Sequence, residues 1–446
     1  MGFCVGLVGY LCVAKKAAKA DEVWRGTKLT DKSQLQKALD KKQDQMVSSG
    51  KAAQLPLLEI AGVKLPNYYD NLGFFAVGSP GSGKSQVISK LIHTMKERLD
   101  FRGIIFDRNG GFLESFYDPD RDLIFNPRDA RSVLWSHKAE GLRAETVAGA
   151  LIPDGKGDDA FFVEAGRSLL SDLYERCDTN SQVWEILSSF TIEELTDFVK
   201  GGLSHRYFIS EKTGGSVLST LINQARFYRE LGEPPEFEGF SFSQWAKEND
   251  PRWLFVPLFE DDAELYQPLL TAGFEMVLRG LLSNEGRTLK TAVVIDELGA
   301  LKKLRSLSRL LSESRKSLGT AILGTQTEAQ ITKIYGEEDT RILLQGCATK
   351  VILNCRDPET AETFAKTIGQ QERIDITKSK GADSWLKRGE TSESEQIREV
   401  FAVMPAELEA LPSLEGYLTV AEQSPAKIKI EPRSYGKQNP RFVERI

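Results

Sequence analysis

Positions 78–85 read GSPGSGKS and fit G-x-x-x-x-G-K-[ST]. That spacing suits the wrapping of a polyphosphate. Glycines let backbone N–H groups approach a ligand and adopt positive φ. A helix starting at residues 83–84 would add its free amides and dipole. In this reading Gly78, Ser79, Pro80, Gly81, Ser82, Gly83, Lys84 and Ser85 bind the phosphates. Lys84 reaches the β- and γ-phosphates, and the Ser85 hydroxyl is a ligand for Mg2+. A glycine-rich turn without a ligand is the bland alternative. The apolar run before the loop and the helical pattern after it argue against that.

A second group lies in TAVVIDELGAL at 291–301, where Asp296 and Glu297 end an apolar run. Asp296 suits a direct or water-mediated hold on Mg2+, and Glu297 suits polarising an attacking water. The next apolar run, in TAILGTQTEAQ at 320–330, ends at Gln326. Gln326 would orient that water or sense hydrolysis; its alternative is a solvent-facing side chain. Between them, residues 300–319 read ALKKLRSLSRLLSESRKSLG. Projected as one helix, the leucines share a face, with Lys302, Arg305, Arg309 and Lys316 opposite. Arg315 projects onto the packed side, where it needs a partner. That partner is a buried carboxylate or, for an arginine finger, a neighbouring subunit's nucleotide.

The elements that would position these residues alternate. Strands are expected at 71–77, 102–107, 121–126, 252–258, 291–296, 320–325 and 349–354, and a helix at 85–99. Alternation of this kind argues for a parallel sheet flanked by helices. Residues 141–248 carry amphipathic helical stretches and no convincing strand. Gly78 and Asp296 are 218 positions apart, more than a bare nucleotide-binding core needs, which also points to an inserted helical domain. The expected division is a connector at 1–54, a nucleotide-binding domain at 55–140 and 249–446, and an all-α insertion at 141–248. Residues 377–396 are polar and read as a surface loop.

At 446 residues, 41% hydrophobic and 27% charged, the chain can bury two or three domain cores. A net charge of −6 gives no overall signature of a nucleic-acid binder and leaves a local basic surface open. Five scattered cysteines without a CxxC pair suggest reduced thiols, and the three histidines have no metal-ligand spacing. Residues 1–14 carry no charge and are followed by Lys15 and Lys16. This run is shorter than the roughly 20 apolar residues of a spanning helix. Its charges follow the apolar part, unlike those of a signal peptide. Residues 1–51 hold 10 Lys/Arg against 5 Asp/Glu. The tail of a spanning helix with a basic cytoplasmic flank fits this pattern; a short packed apolar helix is the alternative.

Taken together, GSPGSGKS, IIFDRNGGF, YDPDRDLIFNPRDARSVLW, VVIDELGAL and TQTEAQITKIYGEEDT resemble the type IV coupling proteins of conjugation, the TraD/TrwB class, and its TraD branch more closely. The likeness runs from RGTKLTD near Arg25 to YLTVAEQSPAKIKI near Ile430. It implies a RecA-like α/β nucleotide-binding core with an all-α domain inserted after the DAR of residues 129–131. It implies ATP and Mg2+ as cofactors and a homo-hexameric ring at the cytoplasmic face of a bacterial inner membrane. Such a ring would deliver relaxase-bound single-stranded DNA, with the duplex as the alternative, to a type IV secretion channel. By motif, Lys84, Ser85, Asp296 and Glu297 carry over as nucleotide, Mg2+ and catalytic positions, Gln326 as sensor and Arg315 as candidate finger. Family members usually carry a two-helix membrane anchor, of which residues 1–14 resemble the end. An FtsK/HerA-like DNA translocase is the rival motor, but it lacks the DAR-then-helical insertion. A ring that recruits protein cargo and uses ATP only to assemble is the rival from another class.

Overall fold

The computed structural model describes residues 23–51, 54–152, 155, 160–235, 239–283, 286–380 and 391–445. The strands in chain order are β1 (Val23–Gly26), β2 (Leu58–Ile60), β3 (Val63–Leu65), β4 (Phe74–Val77), β5 (Phe101–Arg108), β6 (Leu123–Ile124) and β7 (Leu254–Leu258). They continue with β8 (Lys290–Ile295), β9 (Gly319–Thr325), β10 (Thr349–Ile352), β11 (Gln370–Lys380), β12 (Thr391–Phe401), β13 (Glu415–Val420) and β14 (Ala426–Lys429). Nine of them form one sheet, in the order β14-β13-β10-β4-β9-β8-β5-β7-β6. Pairing is parallel from β10 through to β6 and antiparallel where β13 meets β10 and β14. β4, β7 and β9 are buried along their whole length, so they read as continuous apolar runs.

Successive strand residues point to opposite faces. Phe75 and Val77 of β4 join Ile104 and Phe106 of β5 in one core. Phe74 and Ala76 join Phe101 and Ile105 in the other. That second core also takes Val87, Leu91 and Met95, the four-apart series of the helix Lys84–Lys96. The first core takes the apolar faces of the helices Ala144–Leu151, Ala160–Arg176, Asn180–Ser189, Glu211–Ala225 and Ala263–Ser283. From 144 to 247 the described residues form helices and contribute no strand to the sheet.

Glu140 joins the way into this helical stretch to the way out. Its carboxylate accepts from Trp135 Nε1 at 2.8 Å, Ser241 Oγ at 3.0 Å, and the amides of Phe242 and Ser243 at 2.9 and 3.0 Å.

Two expectations need correction. Residues 300–319 are not one helix: a 3₁₀ turn (Leu298–Ala300) is followed by irregular chain, then by the short helices Leu307–Ser312 and Ser314–Ser317. The reason is local hydrogen bonding. The amides of Lys302, Leu304 and Ser306 donate to Thr271 Oγ1, Tyr335 Oη and Glu275 Oε2, so they do not need helical carbonyls. Within the surface loop expected at 377–396, the described residues 377–380 and 391–396 are strand: β11 and β12 pair antiparallel from Gln370↔Phe401 to Lys380↔Thr391, and β1 adds to β11. Residues there are polar at almost every position, which leaves no apolar alternation to mark a strand. The reading of residues 1–14 lies outside the described residues. Among the described residues no helix is long and apolar enough to cross a membrane.

Candidate nucleotide site

β4 ends at Val77, and the loop from Gly78 turns directly into the helix Lys84–Lys96. The turn uses left-handed backbone at Gly81 (φ +75°) and Gly83 (φ +113°). Gly78 has no room for a side chain: a Cβ there would lie 2.6 Å from Ser82 Oγ and 2.8 Å from Leu353 Cβ. Neighbouring elements fix the loop from three sides. Gly78 N–H donates to the Thr325 carbonyl at 3.3 Å, Ser79 N–H to the Asn354 carbonyl at 2.7 Å, and Leu414 N–H to the Ser82 carbonyl at 2.9 Å. Pro80, Gly81 and Ser85 are exposed, so the loop opens to solvent.

Lys84 is buried, and its ammonium donates to the Gly78 carbonyl. Burial pushes its pKa down, while Glu297 and Asp296 pull it back up. Asp296 and Glu297 follow β8, two strands from β4. Burial raises the Asp296 carboxyl to about 6, with Lys84 opposing and Glu297 adding to the rise. Glu297 is also raised by burial, against a hydrogen bond from Gln326. That bond runs from Gln326 Nε2 to Glu297 Oε2 at 2.9 Å. Gly324 permits it, because a Cβ there would lie 2.1 Å from the Asp296 carbonyl oxygen. The loop, both carboxylates and Gln326 thus meet at one end of the sheet, where α/β sheets bind ligands.

Three buried oxygens here have no hydrogen-bond partner: Ser82 Oγ, Asp296 Oδ1 and Glu297 Oε1. Buried polar atoms are rarely left so. A hard cation with few protein ligands fits them, since Mg2+ keeps waters and takes one or two carboxylates plus substrate phosphates. Among the described residues there is no dedicated cluster of three or more metal-binding side chains, in keeping with such a site.

Sequence reasoning overlooked Asp107. It follows Phe106, which pairs with Ile295, so it lies beside Asp296. Its carboxyl is raised to about 7 by burial; the amides of Leu113, Phe112 and Gly111 oppose that rise, and Asp296 adds to it. The amide of Leu113 donates to it at 2.7 Å. The signal was present: IIFD, like VVID, is an apolar run ending in aspartate.

Arg315 is not brought to the loop. It precedes β9, at the opposite end of that strand from Thr325, about 20 Å away along seven residues. It is exposed rather than packed, with its guanidinium 4.3 Å over the Tyr68 ring. Of the two alternatives for it, the buried ion pair is absent among the described residues; the packed side assigned to Arg315 came from a helical projection that ran across the break at 301–306.

Residues 57–431 match the family model described as the type IV secretion-system coupling protein DNA-binding domain. The chain is 29% identical to coupling protein TraD of Escherichia coli (strain K12), over 96% of its own length and 61% of that protein's. It is similar in structure to the bacterial conjugative coupling protein TrwBdeltaN70, with TM-score 0.80, 25% identity and coverage of 96% and 99% of the two chains. The plasmid coupling protein TrwB in complex with ADP and Mg2+ matches at TM-score 0.80 and 25% identity, over 96% and 98% of the chains.

Proposed function

The chain belongs to the type IV secretion-system coupling proteins, with their RecA-like α/β core and helical domain, and from that premise we propose that it is a conjugative coupling ATPase. It binds ATP and Mg2+ in the loop 78–85 and uses hydrolysis to deliver relaxase-bound single-stranded DNA to a type IV secretion channel. Support for ATP and Mg2+ comes from the TrwB complex with ADP and Mg2+. The observation that carries the reading is the meeting of an open phosphate loop with two carboxylates whose buried oxygens lack partners.

The proposed roles follow the geometry. Gly78, Ser79, Pro80, Gly81, Ser82 and Gly83 present amides to the phosphates. Lys84 neutralises the β/γ-oxygens, and Ser85 with Asp296 holds Mg2+. Glu297 accepts the proton of the attacking water, and Gln326 orients that carboxylate and reports the γ-phosphate. Arg315, exposed and remote from its own loop, serves as the finger of the next subunit in a homo-hexamer. Residues 55–140 and 249–446 form the nucleotide-binding domain, 141–248 the inserted helical domain, and 1–54 the connector to the inner membrane.

Lys84→Ala tests this reading. Hydrolysis should fall about 10³-fold or more, as when a main electrostatic stabiliser of a transition state is removed. Near-parental turnover in a folded variant would remove the phosphate-loop assignment.

A further inference from the structure

The two ends of the sheet carry different groups. The phosphate loop, the carboxylate pair and Gln326 follow β4, β8 and β9. The 3₁₀ turn Asn67–Tyr69 precedes β4, and Arg315 precedes β9. β4 and β9 pair in parallel, from Phe74↔Ile322 to Val77↔Thr325, so the turn and the arginine share the other end of the sheet. There the Arg315 guanidinium lies 4.3 Å over the Tyr68 ring. It makes no hydrogen bond or ion pair among the described residues. Lys42 also sits over that ring, with Nζ at 5.3 Å, but its charge is met by Glu422 at 2.7 Å.

Tyr68 is placed independently of the arginine. It is half-buried, and its ring meets the Tyr69 ring edge-on, with centroids 5.4 Å apart and planes at 87°. Tyr69 is buried, and its hydroxyl donates to the Ala421 carbonyl at 2.9 Å. Before the pair, Asn67 exchanges hydrogen bonds with Gln43 at 3.0 and 3.1 Å. After it, Asp70 accepts from Arg98 and Lys290, each at 2.8 Å. An arginine that acts on phosphate across a boundary has to be ordered before that phosphate arrives. A carboxylate partner would order it but would occupy its N–H donors and neutralise its charge. An aromatic face holds the planar guanidinium through its π-system and leaves the five N–H donors of its edge unspent.

We propose that Tyr68 is the positioning residue of the arginine finger, a role that rests on reading Arg315 as the finger of the next subunit. The ring restricts the rotamers of Arg315 in advance, so less of its attraction to the transition state is lost to ordering.

Mixed rings locate that role within a subunit. A Lys84→Ala subunit keeps its finger and lacks a working phosphate loop; an Arg315→Ala subunit keeps its loop and lacks the finger. Their mixture should hydrolyse ATP where that loop meets that finger. Tyr68→Leu keeps aliphatic bulk and removes the π-face, and it is placed in one of the two subunits at a time. In the Lys84→Ala subunit it should lower the restored rate about threefold to thirtyfold, the size expected of one guanidinium–ring contact. In the Arg315→Ala subunit it should leave the restored rate unchanged. Tyr68→Phe, which keeps the ring, should leave it unchanged in either. A loss from the Arg315→Ala placement as well, or instead, would make Tyr68 a support of the fold. No loss from either placement would make the contact idle. Each of these results overturns the proposal while the finger stands. Lys84→Ala and Arg315→Ala subunits that form mixed rings without restored hydrolysis would overturn the finger reading itself, and the role of Tyr68 with it.

Discussion

At the scale of single residues, the site is set by burial acting on charge. Lys84, Asp107, Asp296 and Glu297 sit close together at the strand ends, and burial pushes each toward its neutral form. Asp107 gives a test independent of activity. Its carboxyl titrates near 7 in the folded chain against 3.8 for the ordinary group. The folded state therefore keeps a proton that the unfolded state has lost between those values. Its contribution to stability is present below about pH 4 and is lost as pH rises toward 7. Asp107→Asn should flatten that fall, as read from urea midpoints at several pH values; an unchanged slope would show that Asp107 does not hold the proton. The loop, the carboxylate pair and Gln326 were legible because each follows an apolar run that could only be a buried strand. Asp107 was not singled out, since one carboxylate at a strand end carries no spacing signal until β5 is known to lie beside β8.

At the scale of elements, the parallel core was legible and its polar additions were not. β4, β8 and β9 are apolar along most of their length, and burial on both faces leaves them no other reading. The hairpin of β11 and β12 is polar at most positions, and its few apolar residues, Ile374 and Ile376 on β11 and Ile397, Val400 and Phe401 on β12, are too sparse to mark two strands before their pairing is known. The leucines at 301, 304, 307, 310 and 311 are all buried, as a helical face would be, yet half of that stretch is not helical. Tertiary acceptors took its amides, and a periodicity argument cannot foresee that. The helical stretch depends on one acceptor. Glu140→Ala would leave the Trp135 indole, a serine hydroxyl and two amides without their acceptor. A loss on the order of 3 kcal/mol or more is expected. Thermal unfolding should show it, with the helical stretch loosening first; a change under about 1 kcal/mol would mean that water replaces the carboxylate.

At the scale of the whole molecule, the proposed arginine finger needs a neighbouring subunit. Arg315 lies at the far end of β9 from its own loop, so it can act on a nucleotide only across a subunit boundary. Because it is exposed, Arg315→Ala should change stability by less than about 1 kcal/mol. Turnover should fall on the order of 10³–10⁵-fold, with nucleotide affinity kept. Mixing Arg315→Ala with Lys84→Ala subunits should restore hydrolysis where an intact loop meets an intact arginine. Mixed rings that form and stay silent would show that Arg315 is no finger.

The proposed function couples hydrolysis to a DNA strand. The most direct measurement is steady-state ATP hydrolysis by the purified protein with and without single-stranded DNA, with Lys84→Ala as the blank. The rate should rise with added strand and vanish in the blank. A Lys84-dependent rate that the strand leaves unchanged would contradict it, and would favour a ring that uses ATP to assemble and recruit cargo.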